Sequence, residues 1–202
     1  MRMNISMEKF NPGKHDSHLV ATLIYAADRE FNEIVYGNEA AGVAVIKKMM
    51  EMDHNYFTYP HVDCAVHNGE VTGVLVGFTG REKQQLDQGS AKAFARVFGF
   101  WSFLFKKIPV YMKMAKFTWN KIDEDKYLVN SLCVVPAHRS QGIGAHMLES
   151  VYEKYDKVYL DVNMHNEKAL KFYQRNGFEI KSYNSIIYKG KKVGAYSIKR
   201  GS

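Results

Sequence analysis

The sequence predicts an α/β protein built on a mixed sheet. Three observations predict it. Apolar runs of strand length alternate with stretches of helical spacing, an Asn-Gly pair separates two of those runs, and one strand leads through a glycine-bearing loop directly into a helix. The resulting order is strand, helix, helix, strand, strand, insertion, strand, helix, strand, helix, strand, strand. Length and composition agree. A chain of 202 residues is expected to form one domain over 1–202. Folding at that length hides roughly 70% of the unfolded surface, so no staples are needed. Hydrophobic content of 46% with 24% charged residues is ordinary globular composition and argues against disorder.

Taken in order, Met3 to Phe10 alternates weakly and reads as an edge strand closed by Asn11-Pro12-Gly13. From Asp16 one long helix is expected, with Leu19, Leu23, Ala26 or Ala27, Phe31, Ile34 and Val35 near helical spacing and a stop at Gly37. A second helix fits Asn38 to Met52, with Asn38 as its cap. Val62 to Val66 and Val71 to Phe78 form a hairpin around His67-Asn68-Gly69-Glu70.

Residues 81–120 interrupt the pattern with eight Lys/Arg against only Glu82 and Asp87, and with a dense aromatic set that includes Phe94, Phe98, Trp101, Phe105, Phe117 and Trp119. Phe94, Val97, Phe98, Trp101, Leu104, Phe105 and Ile108 keep helical spacing, so this stretch reads as a basic, amphipathic helical insertion. Tyr127 to Val135 is a strand. The helix after it turns Met147, Leu148, Val151 and Tyr155 inward. Val158 to Val162 is a short buried strand, Asn166 caps a helix that ends at Asn176-Gly177, and two strands, Phe178 to Tyr188 and Val193 to Ile198, close the chain.

Two cysteines, Cys64 and Cys133, lie inside apolar runs and cannot build a disulfide scaffold or a four-cysteine zinc site; buried, reduced thiols in a cytoplasmic protein are expected. No signal-like apolar stretch stands at the start, and no 18-residue apolar run occurs, so neither secretion by that route nor a transmembrane segment is expected. No metal is expected. In His61-x-x-Cys64-x-x-His67 the cysteine faces away from both histidines on a strand, and His15-x-x-His18 lacks a third ligand. The net charge of +7 attracts anions: nucleic acid, acidic lipid or a phosphorylated cofactor.

The chemistry concentrates in Val134-Val135-Pro136-Ala137-His138-Arg139-Ser140-Gln141-Gly142-Ile143-Gly144-Ala145. Exposed amides at the helix start favour an anion, Gly142 and Gly144 let it approach the backbone, and Arg139 adds a fixed positive charge. A dinucleotide fingerprint would need glycine at Met147, and a P-loop would need Gly-Lys-Ser/Thr where Gly144 precedes Ala145. A phosphate-bearing ligand follows from these residues; its identity does not.

Arg139-Ser140-Gln141-Gly142-Ile143-Gly144 resembles the Q/R-x-x-G-x-G/A signature of the GNAT superfamily of N-acetyltransferases. Downstream, Asn166-x-x-Ala169-x-x-Phe172-Tyr173-x-x-x-Gly177-Phe178 resembles that family's second cofactor motif. The two stand in the family's order, 22 residues apart from Gly144 to Asn166. The resemblance implies a central mixed, mostly antiparallel sheet of about seven strands flanked by helices, with the helical insertion between strands 3 and 4.

It also implies transfer of an acetyl group from acetyl-CoA to a primary amine of a small molecule or peptide. The alternative is a non-catalytic acyl-CoA-binding or regulatory module on the same fold. By that likeness Cys133 and Val134 pair with the pantetheine arm, Arg139, Ser140, Gln141, Gly142, Ile143, Gly144 and Ala145 hold the diphosphate, and Asn166, Ala169 and Tyr173 meet the cofactor from one helix face. Tyr173 is the expected general acid for the leaving thiolate. The strand that bears a glutamate in some relatives offers Asn130 and Ser131 here, so Glu33 and Asp161 are the weak candidates for the base. The insertion is expected to serve as a substrate lid or as a second-subunit contact in a homodimer; a membrane-surface helix and an extra core helix with a solvated basic face are the alternatives, and a nucleic-acid surface is not expected because its aromatics follow core-like spacing.

Overall fold

The structure is a computed structural model that describes residues 4–99, 108–114 and 122–201. Expectations about Trp101, Leu104, Phe105, Phe117 and Trp119 therefore lie outside the described residues.

The chain opens with β1 (Ser6–Lys9), a strand shorter than the alternating run. The expected first long helix is two: α1 (Ser17–Ala27) and α2 (Arg29–Tyr36). Asp28, at φ −138° and ψ 80°, lies outside helical space between them, and its side chain accepts from Phe31 N–H to start α2. Apolar spacing runs on across the break, which is why periodicity alone reads one helix. Asp16 caps α1 by accepting from His18 and Leu19 N–H at 2.8 and 3.2 Å. Asp16→Ala should therefore lower stability by about 1 kcal/mol in urea denaturation.

Asn38 caps α3 (Glu39–Met50), which ends two residues before Met52. β2 (Val62–His67) and β3 (Glu70–Thr79) form the hairpin, with Asn68 at φ 52° and Gly69 at φ 83°, the paired positive values that an Asn-Gly turn supplies. The insertion contributes α4 (Gly80–Phe98), started by a Thr79–Glu82 capping box, and α5 (Ile108–Met114). Then come β4 (Tyr127–Val134), α6 (Ile143–Tyr152), β5 (Val158–Asn163), α7 (Glu167–Arg175), β6 (Glu179–Tyr188) and β7 (Lys191–Arg200). Tyr155 lies beyond the end of α6, stacked on Tyr127 with ring centroids 4.5 Å apart.

The sheet has seven strands in the order β1-β2-β3-β4-β5-β7-β6, antiparallel everywhere except between β4 and β5. Its pleat divides the apolar side chains between two cores. Val74, Val76 and Phe78 of β3 share one core with Ile24 of α1 and with Ile46 and Met49 of α3. Leu75 turns to the opposite face, where Ile143, Met147, Leu148 and Val151 of α6 cover Val158, Leu160 and Ile198. Among the described residues no helix is long and apolar enough to cross a membrane.

Candidate functional site

Two irregularities of β4 make the site. The first is a bulge: Val76 faces Ser131 while Gly77 faces Val129, so Asn130 is an extra residue. It switches the phase of the strand. Tyr127 and Val129 point to the α6 core before it, Leu132 and Val134 after it. The second is a parting of strands. β4 and β5 are in register only at Tyr127–Val158 and Leu128–Tyr159, and from Val129 and Leu160 onward they separate.

A cavity of about 420 Å³ occupies the wedge, lined by Leu128 to Leu132 on one side and Leu160 to Asn163 on the other. That is an ordinary size for a small-molecule site. Asn166, Ala169 and Tyr173 of α7 line it together, as their i, i+3, i+7 spacing predicts. Asn166 also caps α7, its Oδ1 accepting from Ala169 N–H at 3.1 Å.

Tyr173 is buried, its ring edge-on to Phe172 at 5.1 Å and to Phe178 at 5.4 Å. Burial pushes its phenol well above the ordinary value, and the neighbouring Tyr152 and Cys133 add to that rise. Tyr173 is therefore a proton holder and hydrogen-bond donor at neutral pH.

At the far end of β4 the chain makes a 3-10 turn at Pro136–His138 and enters α6 through Ser140 at φ 62° and Gly142 at φ 83°. Gly142 occupies the cap position of α6 and offers no side chain, so the first amides of that helix have no side-chain cap. By contrast α1, α2, α3, α4 and α7 all have side-chain caps. Uncapped amides at a helix start, preceded by left-handed residues, form an anion cradle. The two glycines serve different needs. Gly142 supplies the positive φ, whereas a Cβ on Gly144 would sit 3.1 Å from the Phe172 ring, so Gly144 lets α6 and α7 approach. Arg139 Nε donates to the Val134 carbonyl at 3.0 Å, and Gln141 Nε2 to the Ala137 carbonyl at 3.2 Å. Both bonds brace the loop against the end of β4.

The thiols are poor nucleophiles. Both cysteines are free and buried; burial pushes Cys64 up to about 12 and raises Cys133 as well. Of the base candidates, Glu33 is exposed on α2 and does not line the cavity. Asp161 does line it, with Oδ1 accepting from Ser197 Oγ at 2.6 Å.

The rest of the lining comes from Asp28, Phe31 and Tyr36 of the α1–α2 elbow and from Tyr56 and Phe57, which the sequence alone did not place at the site, and from Lys83, Asp87 and Phe94 of α4, within the stretch expected as a lid. Tyr36 stacks on Phe94 with centroids 5.6 Å apart, and Tyr56 on Phe78 at 5.3 Å. Helix α4 of the insertion thus supplies part of the cavity lining.

The sequence profile of the "Acetyltransferase (GNAT) domain" matches residues 107–180, the span that holds β4, the glycine loop, α6, β5 and α7. Over those residues the chain resembles the GNAT superfamily. Among curated relatives, "N-alpha-acetyltransferase 50" of Danio rerio is 41% identical over 69 residues, 31% of this chain and 40% of that protein. "N-alpha-acetyltransferase RimI" of Mycobacterium tuberculosis (strain ATCC 25618 / H37Rv) is 30% identical over 79 residues, 38% of this chain and 50% of that one. The chain thus spans half or less of the relatives it matches.

The likeness in fold reaches well beyond residues 107–180. An N-acetyltransferase from Staphylococcus aureus Mu50 superposes with a TM-score of 0.67 at 18% identity, covering 96% of this chain and 99% of that one. A GNAT family acetyltransferase from Elizabethkingia anophelis with acetyl-CoA bound superposes at 0.53 and 14% identity, covering 98% and 99%.

Proposed function

We propose that the protein is an acetyl-CoA-dependent N-acetyltransferase whose acceptor is a primary amine of a small molecule or peptide. The observation that carries this reading is the arrangement of β4. Beyond Leu128 it parts from β5 into a cavity bordered by Tyr173, and its C-terminal end leads on to the uncapped amides of α6. The donor set suits the group: bare amides and Arg139 for a diphosphate, and a parted strand edge for an arm that carries its own amides. The named activities of the N-alpha-acetyltransferase relatives point the same way.

When bound, acetyl-CoA supplies a thioester carbonyl that a neutral amine can attack. The chain's residues do the rest. The amides of Gln141, Gly142, Ile143, Gly144 and Ala145, flanked by Ser140 and Arg139, hold the diphosphate. The backbone of Cys133 and Val134 aligns the arm, and an amide near Val134 faces the negative charge that develops on the acyl oxygen. Asn166 and Ala169 border the thioester end. Tyr173, kept protonated by burial, donates toward the departing sulfur.

Gln141→Glu tests the cradle. A negative charge at a helix start suits the helix dipole, so the free protein should keep its melting temperature or gain slightly. The same charge opposes a diphosphate, and at about 1 kcal/mol per charge pair near 4 Å in water it should weaken acetyl-CoA about tenfold. Thermal shift with acetyl-CoA separates these effects by mass action. Equal stabilisation of both proteins by acetyl-CoA would remove the loop from the binding site. Stabilisation without any thiol release across an amine panel would favour the non-catalytic binding module.

A further inference from the structure

Besides Tyr173 and β4, the cavity is lined by a carboxylate and a set of rings. The carboxylate is Asp28, at the elbow that interrupts α1 and α2. It lines the cavity, half-buried, and its Oδ1 accepts from Phe31 N–H and from Asn163 Nδ2, each at 3.2 Å. Asn163 stands at the end of β5, 135 residues away in sequence. It also donates to Glu30 Oε2 at 2.8 Å, and His165 meets the same oxygen through Nδ1 at 2.9 Å. This cluster ties the elbow to the β5–α7 turn across the cavity. All of Asp28's hydrogen bonds fall on Oδ1; its Oδ2 has no hydrogen-bond partner among the described residues and is not sealed in.

The other charged side chains of the cavity are already engaged. Lys83 Nζ lies 3.0 and 2.9 Å from the two oxygens of Asp87, which also accepts from Tyr56 Oη. Asp161 accepts from Ser197. Around them the lining is aromatic: Phe31, Tyr36, Phe57, Phe78 and Phe94. Such a chamber desolvates an ammonium, which makes its proton easier to remove, and the ring faces attract what charge remains.

Resting on the acetyltransferase reading, we propose that the acceptor is a primary monoamine carried on an apolar or aromatic body, and that Asp28 binds its ammonium and takes its first proton. Across the transfer a C–N bond replaces the C–S bond. The nitrogen gives up two protons: one goes to the Asp28 carboxylate and then to solvent, and the other ends on sulfur.

A base must be ionised to act. Burial raises Asp28 above the usual carboxylate range, and the charge of Glu30 adds to the rise against the bonds from Phe31 and Asn163. The wild-type kcat/KM should therefore fall as pH drops through that raised value. The neighbouring groups that could shift this limb are Glu30 on α2, His165 after β5, Asp161 on β5, Lys83 and Asp87 on α4, Tyr56 and Tyr173. Glu30 itself is held low: burial pushes it up, but the bonds from His165 and Asn163 outweigh that.

The test is calorimetric binding of 2-phenylethylamine and its neutral counterpart 2-phenylethanol to the free protein, with a peptide beginning in phenylalanine as a third probe. Wild type should prefer the amine to the alcohol about tenfold or more. Asp28→Asn, which still caps α2, should bind the two alike, keep its stabilisation by acetyl-CoA, and lose about 100-fold or more in turnover along with the acid limb. Asn163→Ala keeps the charge and should keep the amine preference. A free-amine preference over the peptide makes the acceptor a small molecule; the reverse makes it a chain terminus, and both leave Asp28 in its role. Equal binding of amine and alcohol by wild type, binding of neither, or an Asp28→Asn protein with wild-type preference or turnover would overturn the proposal. Absence of any acetyl-CoA stabilisation in wild type would instead overturn the acetyltransferase reading.

Discussion

Tyr173→Phe is expected to lower turnover about 100-fold while acetyl-CoA affinity and melting temperature stay close to wild type. The change removes one hydroxyl and keeps the ring. That ring is held edge-on by Phe172 and Phe178, so its place in the core survives the substitution. Burial keeps the phenol protonated through the neutral range, so the lost group is a donor and not a base. A thiolate leaves tolerably without help, which puts the effect at the low end of what positioned acids contribute, about 10²–10⁴-fold. Single-turnover rates on a good acceptor check this. A wild-type rate would take Tyr173 out of the chemistry, and weakened acetyl-CoA binding at an unchanged rate would make it a binding residue.

Gly89→Ala should be the most damaging of the small substitutions. Inside an exposed helix, glycine to alanine is usually favourable by about 0.5–1 kcal/mol. Here the added Cβ would land on the His54 carbonyl oxygen, far inside contact distance. Neither backbone can yield without moving α4 away from the segment that holds Tyr56, whose amide donates to Ser90 Oγ at 3.1 Å. A loss of about 2–4 kcal/mol is expected, of the kind seen for backbone conflicts, with a melting temperature lower by about 5–15 °C. Because α4 carries Lys83, Asp87 and Phe94 into the cavity, acceptor KM should rise more than acetyl-CoA affinity falls. The exposed neighbour Gln88, changed to Ala, should stay within about 0.5 kcal/mol of wild type.

Where a feature depends on neighbours in sequence, it could be read there. Asn68-Gly69 forms its turn, Asp16, Asn38 and Asn166 cap their helices, and the Asn166–Ala169–Tyr173 face looks into one cavity. What escaped depends on distant partners. The break at Asp28 is invisible to a period that continues from Leu23 to Phe31, and the aspartate becomes interesting only when Asn163 meets it across 135 residues. One signal was present: an aspartate with the acidic Glu30 in the turn that follows is a helix-start pattern, and it stood inside the expected helix. Gly144 carries a similar lesson. Its place beside Gly142 suggested room for a ligand, but the side it leaves bare faces Phe172 of α7. The bulge at Asn130, which reverses the phase of β4, is marked in the sequence only by the polar pair Asn130-Ser131 inside the apolar run from Tyr127 to Val135, and that pair alone fixes no register.

The central claim is that one cavity brings an acetyl thioester and an amine together. Purified protein mixed with acetyl-CoA and a panel of primary amines, read for both free thiol and acetylated amine by mass, tests it most directly. The account predicts thiol and acetylated amine in equal amounts, fastest with amines on apolar bodies and slowed about 100-fold by Tyr173→Phe. Acetyl-CoA that binds yet releases no thiol with any amine, or thiol released without an acetylated product, would contradict it.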